Sequence, residues 1–207
     1  ISAHVRPQLC DVNAWQPAGR FDAVIANHSL HHLVALEHLF DAVARTLAPH
    51  GRFIVSDMIG RNGHMRWPEA LAIVNEYWDE LPPSYRYDRQ RFLQLDAFEN
   101  WDCARDGFEG IRAQDILPLL IERFSFDAFL AFANVIDPFV ERSFGPNFSV
   151  EREWDRGFID RVHARDEEEI AAGRIKPTHM FAVMRISRTG EGLFVGPSPA
   201  EAVRRPH

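Results

Sequence analysis

The sequence predicts an α/β fold organised around one parallel crossover, and three features of residues 21–57 carry that reading. An apolar run at 23–26 is bounded by polar residues on both sides, the pattern of a short strand buried on both faces. Leu36, Leu39, Phe40, Val43 and Leu47 then recur three and four apart, which gathers them on one side of a helix. A second apolar stretch, 52–56, follows at once. Strand, helix and strand in so short a span make a right-handed parallel unit. The polar residues just past each strand then fall on the carboxyl edge of the sheet, where open parallel sheets hold their ligands. Asn27, His28 and Asp57 are the first functional candidates on that ground.

Each further element has its own signal. Residues 3–11 read as a weak strand with Val5, Leu9 and Cys10 inward, and Pro7 favours an edge position. Pro49 and Gly51 close the first helix, one lacking a donor and the other free to turn left-handed. The string I-G-R-N-G-H-M-R-W at 59–67 predicts an ordered loop near the carboxyl edge. Pro68 opens a helix over 69–81 at the position where proline is tolerated, and Pro82 and Pro83 end it. From 84 to 110 the period is lost and rings alternate with charge, which reads either as a surface helix at 88–95 within an irregular cover or as a lid over the sheet's open end; the lid is favoured. Helical spacing recurs at 115–123, at 127–144 with a kink at Pro138, and at 154–172 with Gly173 as cap. The acidic run 166–169 reads as a solvated face. Residues 178–186 give the last strand, and 187–207 a polar, mobile tail. The expected division is one domain at 1–186, with 58–110 as its substrate-side lid, followed by the tail.

Composition narrows the function classes. At 207 residues, 46% hydrophobic and 26% charged, the chain is an ordinary globular protein of one elaborated domain. A net charge of −7 argues against a non-specific grip on nucleic acid or on an anionic membrane. Cys10 and Cys103 form no CxxC pair, so a reducing, cytoplasmic setting is expected and a cysteine zinc site is not. The chain starts at Ile1 with no signal-peptide pattern after it and reads as cut from a longer protein.

The strings F-D-A-V-I-A-N-H-S-L-H-H-L and L-A-P-H-G followed by R-F-I-V-S-D resemble the central part of class I S-adenosylmethionine-dependent methyltransferases, namely the fourth strand with its loop and the next helix and strand. D-V-N at 11–13 sits where that family has the acidic turn beside the adenine, and the strings beginning at Gly107 and Ile175 look like the downstream part of a small-molecule subgroup. The resemblance implies a Rossmann-like methyltransferase sheet with an aromatic and helical cover, S-adenosylmethionine as cofactor, and a small or carbohydrate-like acceptor. The sequence departs from the family in one respect. The first strand with its glycine-rich turn, and the acidic residue ending the second strand, have no counterpart; the G-x-G at 190–192 is in the tail and is a very weak substitute. The expectation is an incomplete sheet, poor cofactor binding by this chain, and an open strand edge that invites association, including a homo-oligomer.

Methyl transfer from a sulfonium asks the protein for alignment, a dry pocket and at times a base. On the resemblance, Asp11 and Val12 would frame the adenine, while Asn27 and His28 would touch the methionine part. His31 or His32 would orient the acceptor or take its proton, and Asp57 would hydrogen-bond the substrate or the following loop. His64, Arg66 and Trp67 would line the acceptor pocket, Arg66 gripping an anionic group. Trp78, Tyr85 and Trp101 read as core. His28, His31, His32 and His38 raise a metal site, but no H-E-x-x-H completes it, and Leu30 and Leu33 alternate with the imidazoles as packing residues would; the expectation is no metal. Two other classes stay open, a non-catalytic methyltransferase-like interaction domain and a metal-dependent hydrolase built on the histidines.

Overall fold

The computed structural model describes residues 4–187 and 192–204. Strand β1 (Phe21–Asn27), helix α1 (Leu36–Thr46) and strand β2 (Leu47–Met58) form the expected unit. β1 and β2 pair in parallel, with Ala23 opposite Arg52 and Asn27 opposite Ser56. An isolated helix as short as α1 is marginal. It holds because Leu36, Phe40 and Val43 are fully buried, each such burial being worth about 1.5–3 kcal/mol. Leu47 turns extended and Pro49 bars another turn, so the helix stops at Thr46. Gly51 is no left-handed cap: a Cβ there would lie 2.9 Å from the Phe21 carbonyl oxygen, so glycine lets β2 pass close to the start of β1.

The chain continues through α2 (Pro68–Glu80), β3 (Tyr87–Asp88), β4 (Leu93–Gln94), α3 (Ala113–Arg123), β5 (Ser125–Phe132), α4 (Asp137–Val140), α5 (Glu153–Ala171), β6 (His179–Arg185), β7 (Leu193–Val195) and α6 (Pro199–Ala202). The main sheet has the order β1-β2-β6-β5-β7, so the architecture is α/β. β6 runs antiparallel to β2 and to β5, and β7 lies parallel to β5. One edge of the sheet therefore collects the ends of β1, β2 and β5 and the start of β6, with His179 opposite both Met58 and Phe132.

Two apolar clusters occur among the described residues. One packs α1 and α3 on a sheet face through Phe40, Phe53, Leu117, Leu120 and Phe129. The other joins α2, α4 and α5 through Val74, Trp78, Phe139, Phe158 and Val162, at the carboxyl-edge side of the chain's middle third. The opposite sheet face is open, exposing Ile25, Leu130, Phe132 and Phe181. β1 is thus an outer strand and is not buried on both faces as its apolar run suggests; its pattern is mostly exposed.

Several other expectations are corrected. Residues 4–11 form no strand, and Val5, Leu9 and Cys10 are exposed because nothing beside them offers a ladder. Residues 88–95 are the β3–β4 hairpin and not a helix. The stretch 127–144 divides into β5 and the short α4: Phe129 and Ala131 turn inward and Leu130 and Phe132 outward along a strand paired with β6, before Pro138 starts a new turn. In the acidic run, Asp166 is buried and accepts the Asn134 and Val135 amides at 3.0 and 2.8 Å; burial pushes its carboxyl up to about 6. Glu169 is buried too, clasped by Arg165 and Arg174. The tail is not wholly mobile: β7 pairs with β5, and Ser198 and Glu201 cap α6 reciprocally. Gly190 of the G-x-G string lies outside the described residues, as does Ala3.

Arg112 fastens the start of α3 to that of α1. It meets both Glu37 carboxylate oxygens at 2.7 Å and the Val34 carbonyl at 2.8 Å. Its hydrogen bond holds Glu37 down to about 2, below the ordinary 4.5. A depressed acid adds stability that is complete above pH 4.5 and disappears as pH falls toward about 2. Because the pair is half open to water, Arg112→Leu should cost only about 0.5–1 kcal/mol in urea unfolding at pH 7. The gap should close progressively below pH 4.5; a gap independent of pH would assign the loss to packing.

Candidate functional site

Asp57, the penultimate residue of β2, is 1% exposed and accepts four hydrogen bonds. Its Oδ2 takes the Ser29 and Leu30 amides at 2.9 and 2.8 Å, and its Oδ1 takes the Met58 amide at 2.8 Å. The fourth comes from His31 Nδ1 at 2.5 Å. Burial raises the carboxyl's pKa, but the bond from His31 and the two amides from 29 and 30 outweigh it, leaving Asp57 below its ordinary value. An ionised carboxylate only accepts, so Nδ1 carries the proton and Nε2 turns away from Asp57. The local sequence builds this arrangement. His28 takes a left-handed conformation, φ 45°, with its amide on the Ser56 carbonyl at 2.8 Å. Leu30–His32 then winds one 3-10 turn whose Leu30 is locked into the core.

Facing His31 is a second turn, Asn62–His64, in which Gly63 and His64 both have positive φ, 67° and 56°. Only glycine fits at 63, since a Cβ would come within 1.9 Å of Asp102 Oδ1. The turn is tied to the aromatic cover by Gly63 N to Gly110 O at 2.9 Å and Cys103 N to Gly63 O at 3.0 Å. Those bonds deliver Glu109, a residue that sequence reasoning missed. Its Oε1 lies 2.9 Å from His64 Nε2 and 3.4 Å from His31 Nε2, and its Oε2 lies 3.5 Å from His32 Nδ1. Burial works against the Glu109 charge, but the His64 bond and the neighbouring imidazoles hold it below the ordinary range. Burial pushes His64 down despite Glu109. Glu109 is about fifty positions from the central strand, in a stretch without period, so no spacing rule reaches it.

His64 and Glu109 also line a cleft of about 550 Å³ whose far wall includes Trp101, Asp137, Glu141 and His179. Trp101 is half exposed there, with Arg91 and Arg105 over its ring at 6.0 and 5.8 Å, and is not core as expected. Trp78 is core. Tyr85 hydrogen-bonds Asp155 at 2.6 Å beside the second cluster. Burial lowers His179, which faces Asp137 at 3.5 Å.

Of the residues singled out from sequence, His31, His32, Asp57 and His64 come together. His28 flanks them, its ring 6.3 Å from that of His31. The others lie elsewhere. Asp11 caps its own turn by accepting the Asn13 amide, and Val12 is exposed beside it. Asn27 is exposed at the end of the outer strand and is not among the cleft's lining residues. Arg66 reaches the cleft floor, but its guanidinium is engaged by Asp137 at 3.0 Å and the His64 carbonyl at 2.9 Å, with Nε buried and unpartnered. Trp67 stacks under Arg204 outside the cleft.

Residues 1–113 match the family model described as a methyltransferase domain. The chain belongs to that methyltransferase-domain family. No curated protein shows significant similarity to it. Among solved structures, it is similar to an O-methyltransferase from a trans-AT PKS multienzyme of Brevibacillus brevis, in complex with S-adenosyl-L-homocysteine. Identity there is 11% and the TM-score 0.42, over 90% of this chain and 50% of that one. It is also similar to the glycopeptide N-methyltransferase MtfA complexed with S-adenosyl-L-methionine, at 14% identity and a TM-score of 0.35, over 86% of this chain and 59% of that one. The chain thus spans about half to three-fifths of these neighbours' lengths. No described helix is long and apolar enough to cross a membrane.

Asp57→Ala strands three buried amides and the His31 ring, so it should cost about 3 kcal/mol or more in denaturant unfolding. His32→Ala, at an exposed position, should stay within about 0.5 kcal/mol. Similar losses in both would mean that Asp57 does not anchor the turn.

Proposed function

We propose that the chain provides the acceptor-binding part of an S-adenosylmethionine-dependent methyltransferase acting on a small, polar, carbohydrate-like acceptor. The observation that carries this reading is the position of the Asp57–His31 pair, at the carboxyl ends of two parallel strands inside a methyltransferase-family domain. The acceptor lies in the cleft under the 58–110 cover, with its nucleophilic heteroatom at the Nε2 edge of His31. His32, His64 and Glu109 orient it, and Asp57 acts through His31 as a positioning residue. Trp101, the flanking arginines and the acidic cleft wall suit a hydroxyl-rich ligand that combines an apolar ring face with polar groups. The donor methyl approaches from the side of His28 and Asn27, with Asp11 and Val12 toward the adenine. The nucleophile gives its proton to His31 Nε2 and takes the methyl from sulfur as the S–C bond breaks with its electron pair left on sulfur, and S-adenosylhomocysteine leaves.

No strand followed by a glycine turn and a helix occurs among the described elements before β1. The chain alone is therefore proposed to hold the cofactor weakly. A second reading, a non-catalytic association domain, is favoured by the open edge of β1 and by the exposed sheet face that carries Ile25 on β1 and Phe181 on β6.

Calorimetric titration with S-adenosylmethionine, followed by transfer of its labelled methyl group to a panel of sugars and glycosides, separates the two. The proposal expects saturable cofactor binding, transfer to at least one hydroxylated acceptor, and a loss of about 100-fold or more in His31→Ala with the circular dichroism spectrum unchanged. Absence of cofactor binding together with concentration-dependent self-association would support the second reading.

A further inference from the structure

The arrangement around Glu109 has a feature that proton transfer leaves unexplained. Asp57 occupies His31 Nδ1–H, so the Nε2 lone pair of His31 faces a Glu109 carboxylate oxygen at 3.4 Å. His32 Nδ1 faces the other oxygen of the same carboxylate at 3.5 Å, and His64 Nε2 stands 2.9 Å from the first. Three imidazole nitrogens thus converge on one carboxylate. A shared proton serves two of these atoms; a cation serves His31, His32 and Glu109 together.

From this convergence we infer that His31, His32 and Glu109 form a three-ligand binding site for a divalent transition-metal ion of the Zn²⁺ type, with His64 bonded to Glu109 beside it. The ligand atoms of His31, His32 and Glu109 lie within 4.8 Å of one another. In a tetrahedral site with bonds of about 2.0–2.1 Å, neighbouring ligand atoms stand about 3.3–3.4 Å apart. One Glu109 oxygen stands 3.4 Å from His31 Nε2 and the other 3.5 Å from His32 Nδ1, close to that spacing, while His64 bonds the first oxygen from outside the ligand set. Nitrogen with one carboxylate oxygen is the donor set of a borderline cation and not of Mg²⁺ or Ca²⁺, which prefer oxygen alone.

The surroundings fit as well. Asp57 behind His31 is the carboxylate that commonly orients a metal-ligating imidazole, and here it is buried and held by three amides. Asp57 and Glu109 together match a dication's charge, while Arg66 is engaged by Asp137. The His31 side chain is 5% exposed and that of His32 45%, so the site is walled on one side and open on the other. An open vertex is the mark of a site that can also take a ligand from solution. The positive φ of His64 and the tight Gly63 and Gly110 contacts fix the second turn against the cover, so the ligands are placed before any ion arrives. The ion's role rests on the functional reading above: at its open vertex it would bind the acceptor's heteroatom in place of the direct His31 contact and promote loss of its proton to solvent, making it the better nucleophile. Its existence does not rest on that reading.

The test is metal binding by the purified, chelator-stripped protein, followed by competition titration with Zn²⁺ and by the visible absorption of added Co²⁺. One equivalent of Zn²⁺ should bind, and Co²⁺ should give the intense bands of a four-coordinate site. His32→Ala and Glu109→Gln, both at solvent-accessible positions and therefore expected to fold, should each weaken binding by about 10-fold or more, and Asp57→Asn by about 10- to 100-fold. His38→Ala, at a ring bonded to the Trp15 carbonyl, should leave affinity unchanged. Substoichiometric binding, or equal affinity in the wild type and in both His32→Ala and Glu109→Gln, would overturn the site. Stoichiometric binding without any methyl transfer would contradict the functional reading and leave the site standing; methyl transfer by metal-free protein at full rate would leave that reading and remove the ion's role.

Discussion

The carboxylate of Asp57 is the constraint on which the site depends. A buried charge is tolerated only when its lone pairs are occupied, and this one draws the turn after β1 onto the end of β2 by taking the Ser29 and Leu30 amides. The same demand orients His31. Fold and chemistry meet in that residue, because the bonds that close the crossover's open end are those that fix which nitrogen of His31 faces Glu109.

The rest of the architecture supplies the opposing wall. The first apolar cluster clamps α1 and α3 onto the sheet, and the second gives α2, α4 and α5 a core of their own. The cleft lies between the sheet's carboxyl edge and the irregular cover that bridges the two. Two of the four described non-glycine residues with positive φ, His28 and His64, lie on either side of His31. Such conformations cost of order 1–3 kcal/mol each and persist where surrounding contacts over-determine them, as the Ser56 carbonyl does for His28 and the Gly110 and Cys103 bonds do for the turn at His64.

Local sequence made the crossover legible. The three-and-four spacing of Leu36 to Val43 and the polar residues after each strand place Asn27, His28 and Asp57 at a functional edge, while His31 enters through the family resemblance. What eluded it has physical causes. The apolar run of β1 looks like that of a central strand because periodicity reports a residue's chemistry and not the number of neighbours it finds. The phenylalanines at 126, 129 and 132 recur three apart, a helix spacing, yet pairing with β6 makes the segment a strand with an irregular register between Phe126 and Ala128. Asp166 and Glu169 sit in a run that should be solvated, yet each is buried with partners supplied from distant or following residues. Glu109 and the engagement of Arg66 by Asp137 are long-range consequences of the cover's path. No window of sequence contains them.

The central claim is that Asp57 holds His31 with its proton on Nδ1, leaving Nε2 to face Glu109 at the cleft's rim. Long-range ¹H–¹⁵N correlation of the imidazole rings tests it directly. The account predicts a His31 ring in the Nδ1–H form, with a strongly deshielded, slowly exchanging proton that disappears in Asp57→Asn. A His31 ring protonated on Nε2, or one whose resonances are unaffected by that substitution, would contradict it.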